Sequence, residues 1–243
     1  MTGSLPKTAM VLAAGRGIRL RPLTDQLPKP LVQVAGQSLI DRTLDRLVQA
    51  GVTTAVVNLH YKSEMLRAHL EKRQEHHKPD IIFSDESELL LDTGGGVANA
   101  LVDLGDLPFI VTNSDFILRD AYIDSLAMMG TRWNDKEMDA LLLMQPTVGA
   151  HGFSGRGDYG MGADGGLVRR SDQEVAPFIF AGIQILHPRL FQDCPEGPFS
   201  LNWLYDKAEE AGRLFGVRHE GDWFDVGSPD GLEVAQRLLS AVE

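Results

Sequence analysis

A run rich in glycine and arginine follows the first apolar segment of the chain, and its residue types suit phosphate binding. It reads LAAGRGIRLRPLT from Leu12 to Thr24. Its small residues are Ala13, Ala14, Gly15 and Gly17. Small residues let the backbone approach a ligand closely, and successive N–H groups in such a turn can hold a phosphate. Arg19 and Arg21 would add hydrogen bonds and neutralise charge. Taken alone, the glycine pattern fits a plain tight turn equally well, because it is neither a dinucleotide fingerprint nor a P-loop.

Three further ionisable residues extend this chemistry. Lys29 stands in a Pro-Lys-Pro sequence, whose stiff backbone limits the movement of the ammonium group. Asp115 follows the apolar run 108–112, at the carboxyl end of a predicted strand, where open α/β sheets bind ligands. Asp225 lies in the segment WFDVGS, and singly it fits a turn-forming role better. As a pair, the two acids could hold one Mg²⁺ against a triphosphate. Together with Arg19, these residues favour phosphoryl or nucleotidyl transfer.

The elements predicted around these residues alternate between strand and helix. Strands are predicted at 9–14, 54–58, 80–83, 108–112, 140–144 and 178–186. Helices are predicted at 39–50, 62–73, 93–101, 201–211 and 232–242. This alternation indicates an α/β fold with a Rossmann-like, doubly wound, mostly parallel (mixed) sheet flanked by helices. We expect the glycine-rich segment 149–166 to run over one sheet edge, for instance as a hairpin.

The length and composition indicate one soluble domain. A chain of 243 residues can bury one sizeable core, and we assign 8–243 to a single domain preceded by a short N-terminal extension, 1–7. Hydrophobic residues make up 43% and charged residues 23%, both ordinary values for a globular protein. The formal net charge of -11 argues against nucleic acid or an anionic membrane as a partner.

The apolar runs and the cysteine content both bear on the compartment of the protein. No apolar run is long enough to span a membrane, and the N-terminal residues lack the apolar core of a signal peptide. The single cysteine, Cys194, excludes an internal disulfide and fits a reducing compartment. We therefore expect a cytoplasmic protein, either a monomer or a small homo-oligomer.

The segment LAAGRGIRLRPLTDQLPKPLVQVAG resembles the signature of the nucleotidyltransferases that make nucleotide sugars from an NTP and a sugar-1-phosphate. The resemblance extends over almost the whole chain and includes the strand ending in Asn-x-Asp and the late Trp-x-Asp-x-Gly. Within that family, the segments LDTGGG, GRGDY and FAGIQILHP are most similar to the enzymes that join UTP to N-acetylmuramate-1-phosphate in cell-wall sugar recycling. The resemblance thus implies Mg²⁺ as cofactor, and an NTP and a sugar-1-phosphate as substrates.

The resemblance also implies a role for each matched position. The nucleotide-binding positions are Ala13, Ala14, Gly15, Gly17, Ile18, Arg19, Lys29, Thr93, Gly94 and Gly95. The positions facing the sugar phosphate are Asn113, Asp158 and Gly182. The catalytic positions are Arg19, Lys29, Asp115 and Asp225, and the two acids would bind the metal. Arg19 would stabilise charge on the departing pyrophosphate, whereas Arg16 would flank the site and Arg21 would anchor the loop.

Three functions remain open at this stage. The first is uridylyl transfer to N-acetylmuramate-1-phosphate. The second is the same chemistry on another pair, such as GTP with mannose-1-phosphate, or dTTP or UTP with glucose-1-phosphate. The third is a non-catalytic nucleotide-sugar sensor, because Ser114 replaces the glycine that the family usually has in Asn-Gly-Asp. A serine adds bulk beside the proposed metal ligand.

Overall fold

The computed structural model describes residues 4–240. Its strands are β1 (Thr8–Leu12), β2 (Gln33–Val34), β3 (Gln37–Ser38), β4 (Thr54–Leu59), β5 (Asp80–Asp85), β6 (Phe109–Asn113), β7 (Phe116–Arg119), β8 (Ala140–Pro146), β9 (Ala150–His151), β10 (Tyr159–Met161), β11 (Leu167–Arg169), β12 (Phe178–Leu186), β13 (Leu214–Arg218) and β14 (Asp222–Asp225). Its α-helices are α1 (Leu39–Gln49), α2 (Ser63–Gln74), α3 (Asp92–Leu104), α4 (Ser125–Arg132), α5 (Leu201–Glu210) and α6 (Pro229–Ser240).

A mixed central sheet runs through the molecule in the order β11-β10-β12-β6-β1-β4-β5. Strands β6, β1, β4 and β5 are mutually parallel. β12 is antiparallel to β6, and it also pairs with β8, which in turn pairs in parallel with β13. Because the parallel strands end at the same edge, the loops that follow β1 and β6 meet there.

Helices cover both faces of this sheet. One core contains Leu44 of α1, Leu66 of α2 and Leu126 of α4. The other contains Val97 of α3 and Leu204 of α5. The middle of β1 is completely buried between the two cores, as expected for a parallel strand with both faces covered. The alternation of strand and helix in the sequence therefore predicted the correct α/β class, and the Rossmann-like mixed sheet is confirmed.

A second, smaller sheet places the late acidic residue. β14 is antiparallel to β7 and parallel to β9, so the three strands lie in the order β7-β14-β9. In this pairing Asp225 lies opposite Phe116, the residue that follows Asp115. Asp225, at the end of β14, thus lies opposite the residue next to Asp115, although the two acids are 110 positions apart in sequence.

The sequence prediction missed several elements and shortened others. Helix α4 and strands β7, β13 and β14 were not predicted. The segment 149–166 does contribute to a hairpin at the sheet edge, formed by β10 and β11, and its first part also supplies β9. The predicted helix 232–242 is α6, whose last predicted residues lie outside the described part of the chain. In the predicted extension 1–7, Leu5 packs against the core that contains Leu44 and Leu126.

Candidate functional site

A cleft of about 480 Å³ opens at the carboxyl ends of β1 and β6. The residues lining it come from the glycine turn, the Pro-Lys-Pro segment, the start of α3 and the loop between β6 and β7. They are Leu12, Ala13, Ala14, Gly15, Arg16, Gly17, Ile18, Arg19, Lys29, Pro30, Asn58, Leu90, Asp92, Thr93, Asn113, Ser114, Asp115 and Gly227. The cleft thus brings together most of the positions that the sequence predicted for the nucleotide.

The glycine turn needs its second glycine for a steric reason. Gly17 has φ of 61°, in the left-handed region that favours glycine. A Cβ atom there would lie 2.9 Å from Thr24 Cγ2 and 3.0 Å from Lys29 Cβ. The Thr24 hydroxyl donates a hydrogen bond to the Gly17 carbonyl at 2.9 Å. At Gly15, by contrast, a Cβ would meet nothing within 4 Å, because it would point into open space.

Lys29 and Asp115 form an ion pair inside the cleft. Lys29 Nζ lies 2.8 Å from Asp115 Oδ2. The lysine side chain is only 9% exposed, whereas the aspartate side chain is 42% exposed. The single turn of 3₁₀ helix at Lys29–Leu31 positions the ammonium group, because it fixes the direction of the backbone. A charge buried to this extent requires a partner, and Asp115 supplies it.

Asp225 holds a turn that borders the cleft. Its Oδ1 atom accepts a hydrogen bond from the backbone N–H of Gly227 at 2.7 Å. A Cβ on Gly227 would lie 2.5 Å from Arg19 Nη2, so a larger residue there would displace the guanidinium from this turn. Asp225 itself does not line the cleft, although Gly227 does.

The three arginines of the turn have different surroundings. Arg21 forms an ion pair with Asp25 at 3.1 Å, one helical turn later. Within residues 4–240, Arg16 and Arg19 have no carboxylate within 4.0 Å, and both line the cleft. Two cations in the cleft are therefore without a carboxylate partner, while Arg21 is paired within its own loop.

The start of α3 contributes less backbone to the cleft than its glycines suggest. The N–H groups of Gly94 and Gly95 both donate to the Phe199 carbonyl, at 2.8 and 3.1 Å. A Cβ on Gly94 would lie 2.4 Å from the Phe199 ring. These glycines let the 199 segment pack against the helix, and of the three predicted positions only Thr93 lines the cleft.

The three residues predicted to face the sugar are separated. Asn113 lines the cleft, at the end of β6. Asp158 lines a second cavity, and its Oδ2 atom accepts a hydrogen bond from Phe180 N at 2.9 Å. Gly182, with φ of 88°, lies where β12 changes register, and a Cβ there would lie 2.5 Å from the Phe116 ring.

Ser114 is buried and forms a hydrogen bond within the protein. The serine is 2% exposed, and its hydroxyl donates to the Leu12 carbonyl at 2.7 Å. This hydrogen bond joins the ends of β1 and β6, so the side chain is occupied within the protein instead of projecting freely toward a ligand.

A buried pair that the sequence analysis missed supports the cleft floor. Asn58 Oδ1 accepts a hydrogen bond from Ala13 N at 2.7 Å, and Asn58 Nδ2 donates to Glu86 Oε1 at 2.7 Å. Glu86 is 3% exposed, and its other oxygen accepts from Leu91 N at 3.1 Å. The signal in the sequence was a polar residue at the end of each of two neighbouring strands, β4 and β5.

Among the described residues, no group of three or more His, Cys, Asp or Glu side chains could hold a metal ion by itself. Of the acids, Asp92 and Asp115 line the cleft and Asp225 does not. A metal held there would therefore need further oxygens from the phosphates of a ligand. No helix among residues 4–240 is both long enough and apolar enough to cross a membrane.

Comparisons with known proteins agree with this geometry. The nucleotidyl transferase family model matches residues 8–153. The N-acetylmuramate alpha-1-phosphate uridylyltransferase of Caulobacter vibrioides is 44% identical over 237 residues, which cover 97% of this chain and 98% of that relative. The enzyme of the same name from Neisseria meningitidis is 36% identical, with 96% and 98% covered.

More distant relatives differ in length. The mannose-1-phosphate guanyltransferase of Aspergillus fumigatus is 32% identical over 91% of this chain, but only 61% of that relative is covered. Among solved structures, UDP-glucose pyrophosphorylase complexed with UDP-glucose gives a TM-score of 0.79 at 16% identity, with 98% of this chain and 100% of that chain covered. At that identity the likeness concerns the fold alone.

Proposed function

Because the chain belongs to the nucleotidyl transferase family, we propose that it transfers a uridylyl group from UTP to N-acetylmuramate-1-phosphate. The products would be UDP-N-acetylmuramate and pyrophosphate, and the reaction would belong to cell-wall sugar recycling. Use of a nucleoside triphosphate is consistent with the cytoplasm as the compartment. A monomeric or small homo-oligomeric state stays a prediction.

The observation that carries the choice of substrates is the match in both identity and length. The two uridylyltransferase relatives are covered to 98% of their length, whereas the guanyltransferase relative is covered to 61%. Over nearly the whole of this chain, identity is thus higher with the two uridylyltransferases, at 44% and 36%, than with the guanyltransferase, at 32%.

The reaction proposed is an in-line attack. A phosphate oxygen of the sugar-1-phosphate forms a bond to the α-phosphorus of UTP, and the bond from that phosphorus to the β-phosphate oxygen breaks, so pyrophosphate leaves with the bonding electrons. The nucleophile already carries negative charge, so the protein needs no residue to activate it. This agrees with a cleft of glycines and cations, in which positioning and electrostatic stabilisation supply the catalysis.

The described residues divide this work among them. The glycine turn would bring backbone N–H groups to the triphosphate. Arg19, which has no carboxylate partner, would stabilise charge on the pyrophosphate. Lys29, buried beside the turn, would neutralise the phosphates as they meet. Asn113, Asp158 and Gly182 would face the sugar.

We also propose that Asp115 and Asp225 hold Mg²⁺. The donor set fits, since Mg²⁺ commonly binds one or two carboxylates together with substrate phosphates and waters. Asp115 is partly exposed in the cleft, and Asp225 lies on the adjacent strand with one carboxylate oxygen bonded to Gly227. When bound, the ion would neutralise charge on the phosphates and orient them.

The experiment is a substrate matrix with pyrophosphate release as the readout. UTP, GTP and dTTP are each combined with the 1-phosphates of N-acetylmuramate, mannose and glucose, in the presence of Mg²⁺. We expect the highest kcat/KM for UTP with N-acetylmuramate-1-phosphate and no turnover after the metal is chelated. A higher kcat/KM for another pair would contradict the substrates proposed here and leave the reaction class intact.

A variant separates an enzyme from a sensor. Asp115→Asn removes one proposed metal ligand and the partner of Lys29, and we expect kcat to fall by about 10²- to 10³-fold, as for the loss of a central electrostatic group. Asp103→Asn is the matched control, because Asp103 is exposed on α3. A wild-type protein that binds UTP but turns over none of the pairs would be a sensor.

A further inference from the structure

A second cavity, of about 200 Å³, lies beside the cleft and is not part of it. Its walls include Asp158, Tyr159, Arg169, Arg170, Phe180 and Asn202. Pockets that enclose whole small ligands usually measure about 300–1,000 Å³, so this cavity suits one arm of a larger ligand. Of its lining residues, only Asp158 was among the positions predicted to face the sugar.

The register of the sheet places this cavity close to the cleft. Ile183 of β12 pairs with Thr112 of β6, which brings Gly182 alongside Asn113, a residue of the cleft. Phe180, which lines the second cavity, is two residues before Gly182 in β12. Two residues of even a fully extended chain span at most about 7 Å, and β12 is irregular between Phe180 and Gln184. A ligand anchored at Asn113 therefore needs to extend about the length of one sugar ring to reach the cavity.

A second path joins the two spaces on the helical side. Thr93 lines the cleft, and its hydroxyl oxygen accepts a hydrogen bond from Leu201 N at 2.9 Å. The next residue, Asn202, lines the second cavity. At the beginning of α5, the residue bonded to the cleft is therefore followed directly by a residue of the cavity.

One cation in the cavity lacks a carboxylate partner. Arg170 Nε donates to the Gly157 carbonyl at 2.6 Å and Nη1 donates to the Ser171 carbonyl at 2.8 Å, so backbone groups fix the orientation of the guanidinium. Within residues 4–240, no carboxylate oxygen lies within 4.0 Å of it. The adjacent Arg169 differs, because its Nη1 lies 2.6 and 2.9 Å from the two carboxylate oxygens of Asp206.

The cavity also offers an unused hydrogen-bond acceptor. Tyr159 lines it too, but its hydroxyl is buried away from solvent and has no hydrogen-bond partner among the described residues. Asp158 uses Oδ2 for Phe180 N, which leaves Oδ1 for a sugar hydroxyl. Asp172 brings a second, exposed carboxylate to the lining.

We propose that this cavity receives the acidic arm of the sugar substrate, with Arg170 pairing its carboxylate. The inference rests on the proposed function, since N-acetylmuramate is N-acetylglucosamine with a lactyl ether, and that ether ends in a carboxylate. Asp158 would take a ring hydroxyl, and Arg170, the cation without a carboxylate partner, would take the acid. Arg170 is then a residue that determines sugar specificity.

The test compares two substrates in two proteins. The substrates are N-acetylmuramate-1-phosphate and its analogue with a carboxamide in place of the lactyl carboxylate, each with UTP and Mg²⁺. The proteins are the wild type and Arg170→Gln. We expect the wild type to prefer the acid over the amide by roughly 10- to 100-fold in kcat/KM, the range of a hydrogen bond between charged groups. We expect Arg170→Gln to reduce this preference to about 2-fold or less.

Controls separate recognition from damage to the fold. Arg156→Gln is the matched control, because Arg156 is exposed nearby and is not among the residues that line the cavity; it should keep the acid-to-amide ratio of the wild type. If Arg170→Gln merely distorts its loop, both substrates will lose kcat/KM by the same factor and the ratio will stay at its wild-type value, which overturns the inference. A wild type that turns over another sugar-1-phosphate but not N-acetylmuramate-1-phosphate contradicts the proposed function instead.

Discussion

Glu86 offers the sharpest test of how the cleft floor is held. The side chain connects the glycine turn to the start of α3. Through Asn58 it fixes the backbone N–H of Ala13, and through its other oxygen it fixes Leu91 N, at the entrance to α3. Replacing Glu86 by alanine therefore removes the acceptor from two donors at once.

The two donors differ in burial, which sets the size of the effect. Asn58 is 3% exposed, so its unpaired Nδ2 should cost about 2–3 kcal/mol, whereas the partly buried Leu91 N–H should cost about 1 kcal/mol. For a protein of this length, 1 kcal/mol corresponds to about 2–4 °C in Tm. We expect Glu86→Ala to lower Tm by roughly 6–16 °C. Glu86→Gln keeps one acceptor oxygen and should lower Tm by about 2–4 °C.

The assay pairs thermal unfolding with steady-state kinetics. Both variants should raise KM for UTP more than KM for the sugar phosphate, because Ala13 and the start of α3 line the cleft predicted for the nucleotide. Glu88→Ala is the matched control, since Glu88 is exposed two residues away. A Glu86→Ala protein with a wild-type Tm and an unchanged KM for UTP would refute this account of the floor.

Two further predictions concern the glycine turn and a buried histidine. Gly17→Ala should lower the free energy of unfolding by about 1–3 kcal/mol, because the left-handed backbone and the close neighbours both oppose a Cβ. Gly15→Ala should change the free energy of unfolding by no more than about 0.5 kcal/mol and should raise KM for UTP. Equal losses of stability in the two variants would contradict the different steric surroundings of the two glycines. Burial lowers the pKa of His219 below its usual 6.5, so the unfolded state binds the proton more tightly than the folded state. The stability that the neutral imidazole contributes is complete above about pH 6.5 and is lost as the pH falls toward the folded-state pKa. In urea titrations between pH 6.5 and 5, His219→Asn should reduce the change of unfolding free energy with pH by up to about 1.4 kcal/mol per pH unit. An unchanged pH dependence would show that other groups cause it. The same substitution at exposed His76 should leave the pH dependence as in the wild type.

The sequence was most informative for residues whose contribution can be predicted from their own segment of the chain. The glycine turn, Lys29 and Asp115 each follow directly from their own segments, and the structure places all three in one cleft. Buried parallel strands have apolar runs that can be recognised one at a time. The α/β class and the edge at which ligands bind were therefore predictable.

The contributions of Gly94, Gly95 and Glu86 could not be found this way, because each depends on a distant segment. The two glycines look like phosphate-binding residues, but their N–H groups bond to Phe199, more than a hundred residues later. Glu86 looks like one acid in the polar segment SDESE, and only the adjacency of β4 and β5 reveals its bond to Asn58. Such pairings arise from the topology, which a single sequence does not encode in any local pattern.

The Lys29–Asp115 pair connects the fold to the proposed chemistry. A cleft built to bind a triphosphate concentrates positive charge, and that charge opposes folding when no ligand is present. The buried lysine is compensated by the more exposed aspartate at 2.8 Å, so the most buried charge of the cleft is paired before any substrate arrives. With a nucleotide in the cleft, phosphate oxygens would become available to Lys29, and Asp115 would be released to bind the metal. On the proposed roles, the pair would keep charge balanced with and without the nucleotide.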